Sequence, residues 1–153
     1  MIKYVDTLVT FLEIPDEITL AINISNCPCH CIGCHSSYLA EDIGTILDVE
    51  ALSTLLAKND GITCIAFMGG DNNPHDINWL AKVIKESKPA LKVAWYSGRE
   101  NLAPEIDINN FNYIKLGPYI AKKGPLTSAT TNQVLYKVKN GFMNDITDKF
   151  WKK

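Results

Sequence analysis

The sequence contains no apolar run approaching the roughly 20 residues that cross a bilayer, which argues against a membrane-spanning helix. It has a single arginine, Arg99, and its lysines are scattered within a net charge of -2, so it lacks the Arg-rich surface that reads nucleic-acid phosphates. Acids and a proline interrupt the N-terminal stretch MIKYVDTLVTFLEIPDE, where a secretory signal would be apolar. The chain is therefore expected in the cytoplasm, with no membrane and no nucleic acid as partner. Internal repeats, low-complexity tracts and linkers are also missing. The 153 residues, 46% of them hydrophobic and 21% charged, read as one domain spanning residues 1–153 with a core of ordinary size.

Cysteine is scarce except in one place. Four of the five fall in Cys27-Pro28-Cys29-His30-Cys31-Ile32-Gly33-Cys34, and the fifth, Cys64, sits in the apolar run Ile62 to Phe67, where it reads as a small buried hydrophobe. Crowded cysteines without a second group to pair with fit metal binding better than a disulfide framework. Cys27, Cys31 and Cys34 make the spacing Cys-x3-Cys-x2-Cys. Three thiolates hold three irons of a 4Fe-4S cube and leave the fourth open, whereas electron-transfer clusters use four cysteines. Pro28 and Gly33 suit the bend, and Cys29 is out of register. The competing donor set is a zinc site drawn from Cys27, Cys29, Cys31, Cys34, His30 and His35, as in a non-enzymatic zinc-binding adaptor. Structural zinc usually takes two ligand pairs separated by a longer loop, and no second pair is present.

Period-2 alternation of Ile18, Leu20, Ile22 and Ile24 predicts a strand that runs into the cysteine loop. Asp48 is placed to cap a helix over Val49–Lys58, with Val49, Leu52, Leu55 and Leu56 on one face, ended by Asn59-Asp60-Gly61. A buried strand over Thr63–Phe67 leads to the turn Gly69-Gly70-Asp71-Asn72-Asn73-Pro74. Then come a helix from about Asp76 to Glu86, with Ile77, Leu80, Val83 and Ile84 inward, and strands over Leu91–Tyr96, Tyr113–Leu116 and Val134–Val138. Alternating strands and helices predict an α/β fold with a mainly parallel sheet. Ligands of such folds collect beyond the C-terminal strand ends, and here that edge would gather the cysteine loop, Gly69-Gly70-Asp71, Ser97-Gly98 and Gly117-Pro118.

The Cys-x3-Cys-x2-Cys loop after the first predicted strand resembles the signature of the radical S-adenosylmethionine (SAM) enzymes. Together with Phe67-Met68-Gly69-Gly70-Asp71, Ala94-Trp95-Tyr96-Ser97-Gly98 and Thr131-Asn132-Gln133, it resembles the activating protein of anaerobic (class III) ribonucleoside-triphosphate reductase across roughly residues 16 to 138. That resemblance implies an abbreviated, open (partial) radical-SAM β/α barrel. It implies a 4Fe-4S cluster on Cys27, Cys31 and Cys34, and S-adenosyl-L-methionine as cofactor, contacted by Gly69, Gly70, Asp71, Ser97 and Gly98. The activity would be reductive cleavage of SAM and formation of a glycyl radical on the large catalytic subunit of the reductase, with reduced flavodoxin or ferredoxin as electron donor. Three positions depart from the superfamily pattern. Gly33 stands where an aromatic residue often packs on adenine, Met68 where a small hydroxyl residue is common, and Asp71 where glutamate is usual. Another glycyl-radical activase or a compact radical SAM synthase shares most of these features. The short chain favours an activase, because an open half-barrel suits a macromolecular substrate.

From the residues alone, Gly69-Gly70-Asp71 serves equally as a backbone that approaches a ligand closely or as a turn before the next helix. Trp95 and Tyr96 read as strand packing, His75 as an exposed helix-start residue, and Asn132 and Gln133 as a loop that satisfies backbone groups.

Overall fold

In a computed structural model of the chain, the structure describes residues 1–25 and 42–150. The cysteine run Cys27 to Cys34 and the flanking His35 lie outside the described residues. Eight strands form one open sheet: β1 (Lys3–Thr10), β2 (Thr19–Ile24), β3 (Thr45–Ile46), β4 (Cys64–Met68), β5 (Lys92–Tyr96), β6 (Tyr113–Leu116), β7 (Val134–Lys139) and β8 (Phe142–Asp145). Their spatial order is β3-β1-β2-β4-β5-β6-β7-β8. Among the described residues, two helices, α1 (Val49–Lys58) and α2 (Pro74–Ser87), and 3-10 turns at Ile108–Asn110 and Thr147–Phe150 accompany the sheet.

The fold is α/β, but the sheet is mixed rather than mainly parallel. Pairings β2–β4, β4–β5 and β5–β6 are parallel, while β1–β2, β1–β3, β6–β7 and β7–β8 are antiparallel. The parallel centre is the part read from the βαβ spacing. The antiparallel flanks come from β1 and from the β7–β8 hairpin, whose tip at Asn140-Gly141 has both residues at positive φ, as a tight hairpin turn requires.

Side chains of the central strands alternate between two cores, as a pleated sheet demands. Leu20, Ile22, Ile24, Ile65, Phe67, Val93, Trp95 and Ile114 pack with Leu52 of α1 and with Ile77, Leu80, Ala81 and Ile84 of α2. Trp95 and Phe67 are at most 1% exposed, and burial of each contributes about 1.5–3 kcal/mol or more. Cys64, Ala66, Ala94, Tyr96, Tyr113 and Leu135 face the other way, closed by Ile14, Leu126, Ile146 and Phe150. Both helices therefore occupy one face.

The helix starts obey their caps. Asp48 accepts from the Ala51 N–H at 2.8 Å, and Asn73 accepts from the Asp76 N–H at 3.3 Å with Pro74 in the first turn. Val49, expected inward, is 39% exposed because it is the first residue of α1, and Ala81 rather than Val83 is the fully buried residue beside Ile84. No helix among the described residues is long and apolar enough to cross a membrane.

The opposite, N-terminal ends of the parallel strands are tied by one carboxylate. Glu17, 5% exposed, accepts from the Thr63 hydroxyl (2.8 Å), the Lys92 ammonium (2.7 Å) and the Tyr113 hydroxyl (2.8 Å). Those three partners stand at the starts of β4, β5 and β6. Burial alone would raise the Glu17 pKa, but the bonds from Lys92, Tyr113 and Thr63 outweigh it and hold the carboxyl below its ordinary value. Burial pushes the adjoining Cys64 thiol up to about 12, so it is the inert small hydrophobe expected from sequence.

Candidate functional site

Parallel strands β2, β4, β5 and β6 end at the same edge, which brings Ser25, Gly69-Gly70-Asp71, Ser97-Gly98 and Gly117 together. Main-chain bonds continue the ladder past the strands. The Gly69 N–H donates to Tyr96 O (3.0 Å), the Ser97 N–H to Lys115 O (2.9 Å) and the Gly117 N–H to Arg99 O (2.7 Å).

Asp71 locks two of these loops together. It is only 4% exposed, and its Oδ1 accepts from the Ser97 hydroxyl at 2.5 Å while its Oδ2 accepts from the Gly98 N–H at 2.8 Å. Ser97, 1% exposed, also accepts from the Arg99 N–H at 3.1 Å. Three of the five residues expected to contact a cofactor thus form one hydrogen-bonded unit in which the carboxylate braces the β5 loop.

Gly69 and Gly70 are required by the backbone itself. Their φ values are +107° and +91°, and a Cβ on Gly70 would stand 2.6 Å from Ile77 Cδ1. Trp95 donates its indole N–H to Gly69 O at 2.7 Å, so a core side chain fixes the carbonyl of the first glycine. The Asn73 cap follows directly, so the segment serves as the turn before α2 as well as lining the strand-end edge.

On the face away from the helices, Asn23, Met68, Tyr96 and Lys115 stand side by side in register at the C-terminal ends of the strands, Met68 and Tyr96 as the last residues of β4 and β5. Lys115 is 7% exposed and donates to Gly117 O and to Gln133 Oε1, both at 3.0 Å. Its ammonium lies 5.5 Å from the Tyr96 ring centre, within cation–π range. The Tyr96 hydroxyl donates to Glu13 O. Burial raises the Glu13 pKa, opposed by the Lys115 charge; burial, followed by the Glu13 charge, raises that of Tyr96. Asn132 donates to Pro118 O at 3.1 Å, so Asn132 and Gln133 are tied to the end of β6, and the buried Asn132 side-chain oxygen, Oδ1, has no hydrogen-bond partner among the described residues.

Lys115, Gln133 and Glu13 were not among the expected site residues. The available signal was a lysine on the apolar strand Tyr113-Ile114-Lys115-Leu116 directly before Gly-Pro, a charge that burial obliges to find acceptors.

A polar cleft of about 110 Å³ opens beside Gly70, between Ser25, Asp42, Lys3, Asn72 and Asn73. Another hollow, of about 290 Å³, lies between Leu47, Val49, Trp79 and Leu80 and touches none of the expected site residues. The only cysteine among the described residues is Cys64, and no cluster of metal-ligating side chains occurs among them. The ligand expectation for Cys27, Cys31 and Cys34 concerns residues outside that set.

No family model, no curated protein and no solved structure matches the chain. The functional reading rests on the sequence motifs and on the strand-end edge.

Proposed function

We propose that the chain is a radical SAM activase, an oxidoreductase that generates a glycyl radical on the large catalytic subunit of an anaerobic ribonucleoside-triphosphate reductase. The observation that carries the reading is one of position. The Cys-x3-Cys-x2-Cys run begins two residues after Ser25, at the end of β2, and the neighbouring parallel strand ends are Gly69-Gly70-Asp71 and Ser97-Gly98. Three clustered thiolates are a soft donor set that suits an iron-sulfur cluster. When bound, such a cluster supplies an open iron for the amino and carboxylate groups of SAM and the electron that cleaves its sulfonium.

The chain's own residues then hold and shield. Gly69 and Gly70 bring bare backbone to the edge, with Trp95 fixing the Gly69 carbonyl as an acceptor. Asp71 is a positioning residue, which sets the height of Ser97-Gly98 against the glycine pair. Lys115 and Gln133 clamp the β6 end in the same way. An open sheet with both helices on one face suits the abbreviated half-barrel, whose strand-end edge would receive the glycine loop of a macromolecule.

Anaerobic reconstitution followed by iron and sulfide analysis tests this. The expected protein is brown, carries about four irons per chain and bleaches with dithionite. With SAM, the reductase subunit and reduced flavodoxin or ferredoxin it gives a glycyl-radical doublet in electron paramagnetic resonance. A colourless protein that takes up zinc and no iron would refute the radical reading. SAM cleavage without the doublet would move the substrate to another glycyl-radical enzyme or to a small molecule.

A further inference from the structure

The starts of α1 and α2 enclose the hollow of about 290 Å³, lined by the buried Leu47 and Leu80 and by Val49 and Trp79. Trp79 stands outside the stripe of Ile77, Leu80, Ala81 and Ile84 that α2 turns to the core, and it is 52% exposed. With Val49 at 39%, it gives the hollow an apolar rim that packing against the core does not require. Three carboxylates, Asp48, Glu50 and Asp76, line the same space. Two are held in place, since Asp48 accepts from the Ala51 N–H at 2.8 Å and Asp76 from the Ile2 N–H at 3.1 Å. Glu50 is exposed. The lining contains no lysine or arginine, and its one cation is the Met1 ammonium, 3.9 Å from Asp76. The hollow is therefore both apolar and negative.

We propose that this hollow is a docking site for an arginine side chain of a partner protein, presented from a segment with apolar neighbours. A guanidinium stacks on an indole, donates to carboxylates in a fixed fork and is weakly hydrated, whereas a lysine ammonium holds its water more strongly. Trp79 and Glu50 supply the stacking face and the acceptor, and Leu47, Val49 and Leu80 receive the aliphatic stem and its apolar neighbour. The helix starts offset part of the charge on Asp48 and Asp76, which leaves Glu50 as the main partner of the guanidinium. A volume of about 290 Å³ falls below the roughly 300–1,000 Å³ of small-molecule sites and suits one or two side chains. Met1 lines both this hollow and the polar cleft beside Gly70, so a partner anchored here reaches towards the strand-end edge. Because the hollow touches none of the residues expected at the cofactor, the docking site stands or falls apart from the radical chemistry.

Titration of the isotope-labelled full chain with the peptide acetyl-Gly-Leu-Arg-Leu-Gly-amide, followed by nuclear magnetic resonance, tests the proposal. Saturable shifts are expected at the Trp79 indole N–H and at the Val49 and Glu50 amides. The same peptide with citrulline, a neutral isostere, in place of arginine should bind at least about threefold more weakly, as should the arginine peptide to Trp79→Ala or Glu50→Gln. Both side chains are exposed, so these variants should keep the wild-type circular dichroism spectrum. Phe142→Ala, at a distant exposed residue, should bind as the wild type does. Absence of shifts at the hollow up to millimolar peptide, equal binding of the citrulline peptide, or unchanged affinity in Trp79→Ala would each overturn the docking site, as would an equal loss in Phe142→Ala.

Discussion

Replacing Asp71 by alanine removes the acceptor for two donors at once. The Ser97 hydroxyl is 1% exposed and the Gly98 N–H lies beside it, so water cannot replace the carboxylate without opening the β5 loop. Hydrogen bonds to a charged group contribute about 1.5–3 kcal/mol each. Because one side chain makes both, the sum falls short of additive, and Asp71→Ala should cost about 3 kcal/mol. Asp71→Asn should cost about 1 kcal/mol, because the amide oxygen still accepts from Gly98 and the amide nitrogen donates to Ser97. Urea unfolding followed by circular dichroism, with m unchanged between variants, measures both numbers. A loss below about 0.5 kcal/mol for alanine, or equal losses for the two variants, would show that the brace carries no such energy. On the proposed function, the same brace also predicts that any SAM binding by the reconstituted protein weakens further in Asp71→Ala than in Asp71→Asn, in the order of the stability losses.

Three further outcomes concern Glu17, the glycines at positive φ and Cys64. Glu17→Gln should cost about 2–3 kcal/mol, discounted because Lys92 is 45% exposed. The stabilisation from Glu17 is complete above the ordinary carboxylate value of 4.5 and is lost as pH falls through its lowered folded pKa. Glu13, with its pKa raised by burial and only partly lowered by Lys115, has the opposite sign, so the wild-type minus Glu17→Gln difference in urea unfolding isolates the effect. Gly70→Ala should destabilise by about 2–3 kcal/mol, because its Cβ meets Ile77 as well as adopting positive φ. Gly61→Ala, at φ +83° with nothing within 4 Å, should cost only about 1 kcal/mol, and thermal melts compare the two. Cys64 should resist iodoacetamide in the native protein and react once denatured, as read from its own peptide by mass spectrometry.

The central βαβ pattern was legible because burial on both faces writes long apolar runs, and because Asp48 and Asn73 punctuate the helices. Strand β1 was not. Its period is masked where Leu8 and Val9 are both exposed, leaving no alternation of apolar and polar residues to read. The β7–β8 pairing depended on the Asn140-Gly141 turn, whose significance emerges only with β8 beside it. At the site, the glycine pair and Ser97-Gly98 were visible as turn residues at strand ends. That Asp71 spends both oxygens on Ser97 and Gly98 was not, since a contact between residues 26 positions apart requires the register of β4 on β5. Lys115 escaped notice for a similar reason, as its acceptors Gly117 and Gln133 converge only after the chain returns as β7.

Glu17 and Asp71 stand at opposite ends of the same parallel strands, one joining their starts and the other joining two of their finishes. A slip of one residue between β4 and β5 would break both ties together and exchange the two cores. The loops between the ties are thereby released from any duty to set register. Substitutions among Asn72, Arg99 or Glu100 can reshape the strand-end surface while the scaffold beneath it stays in step.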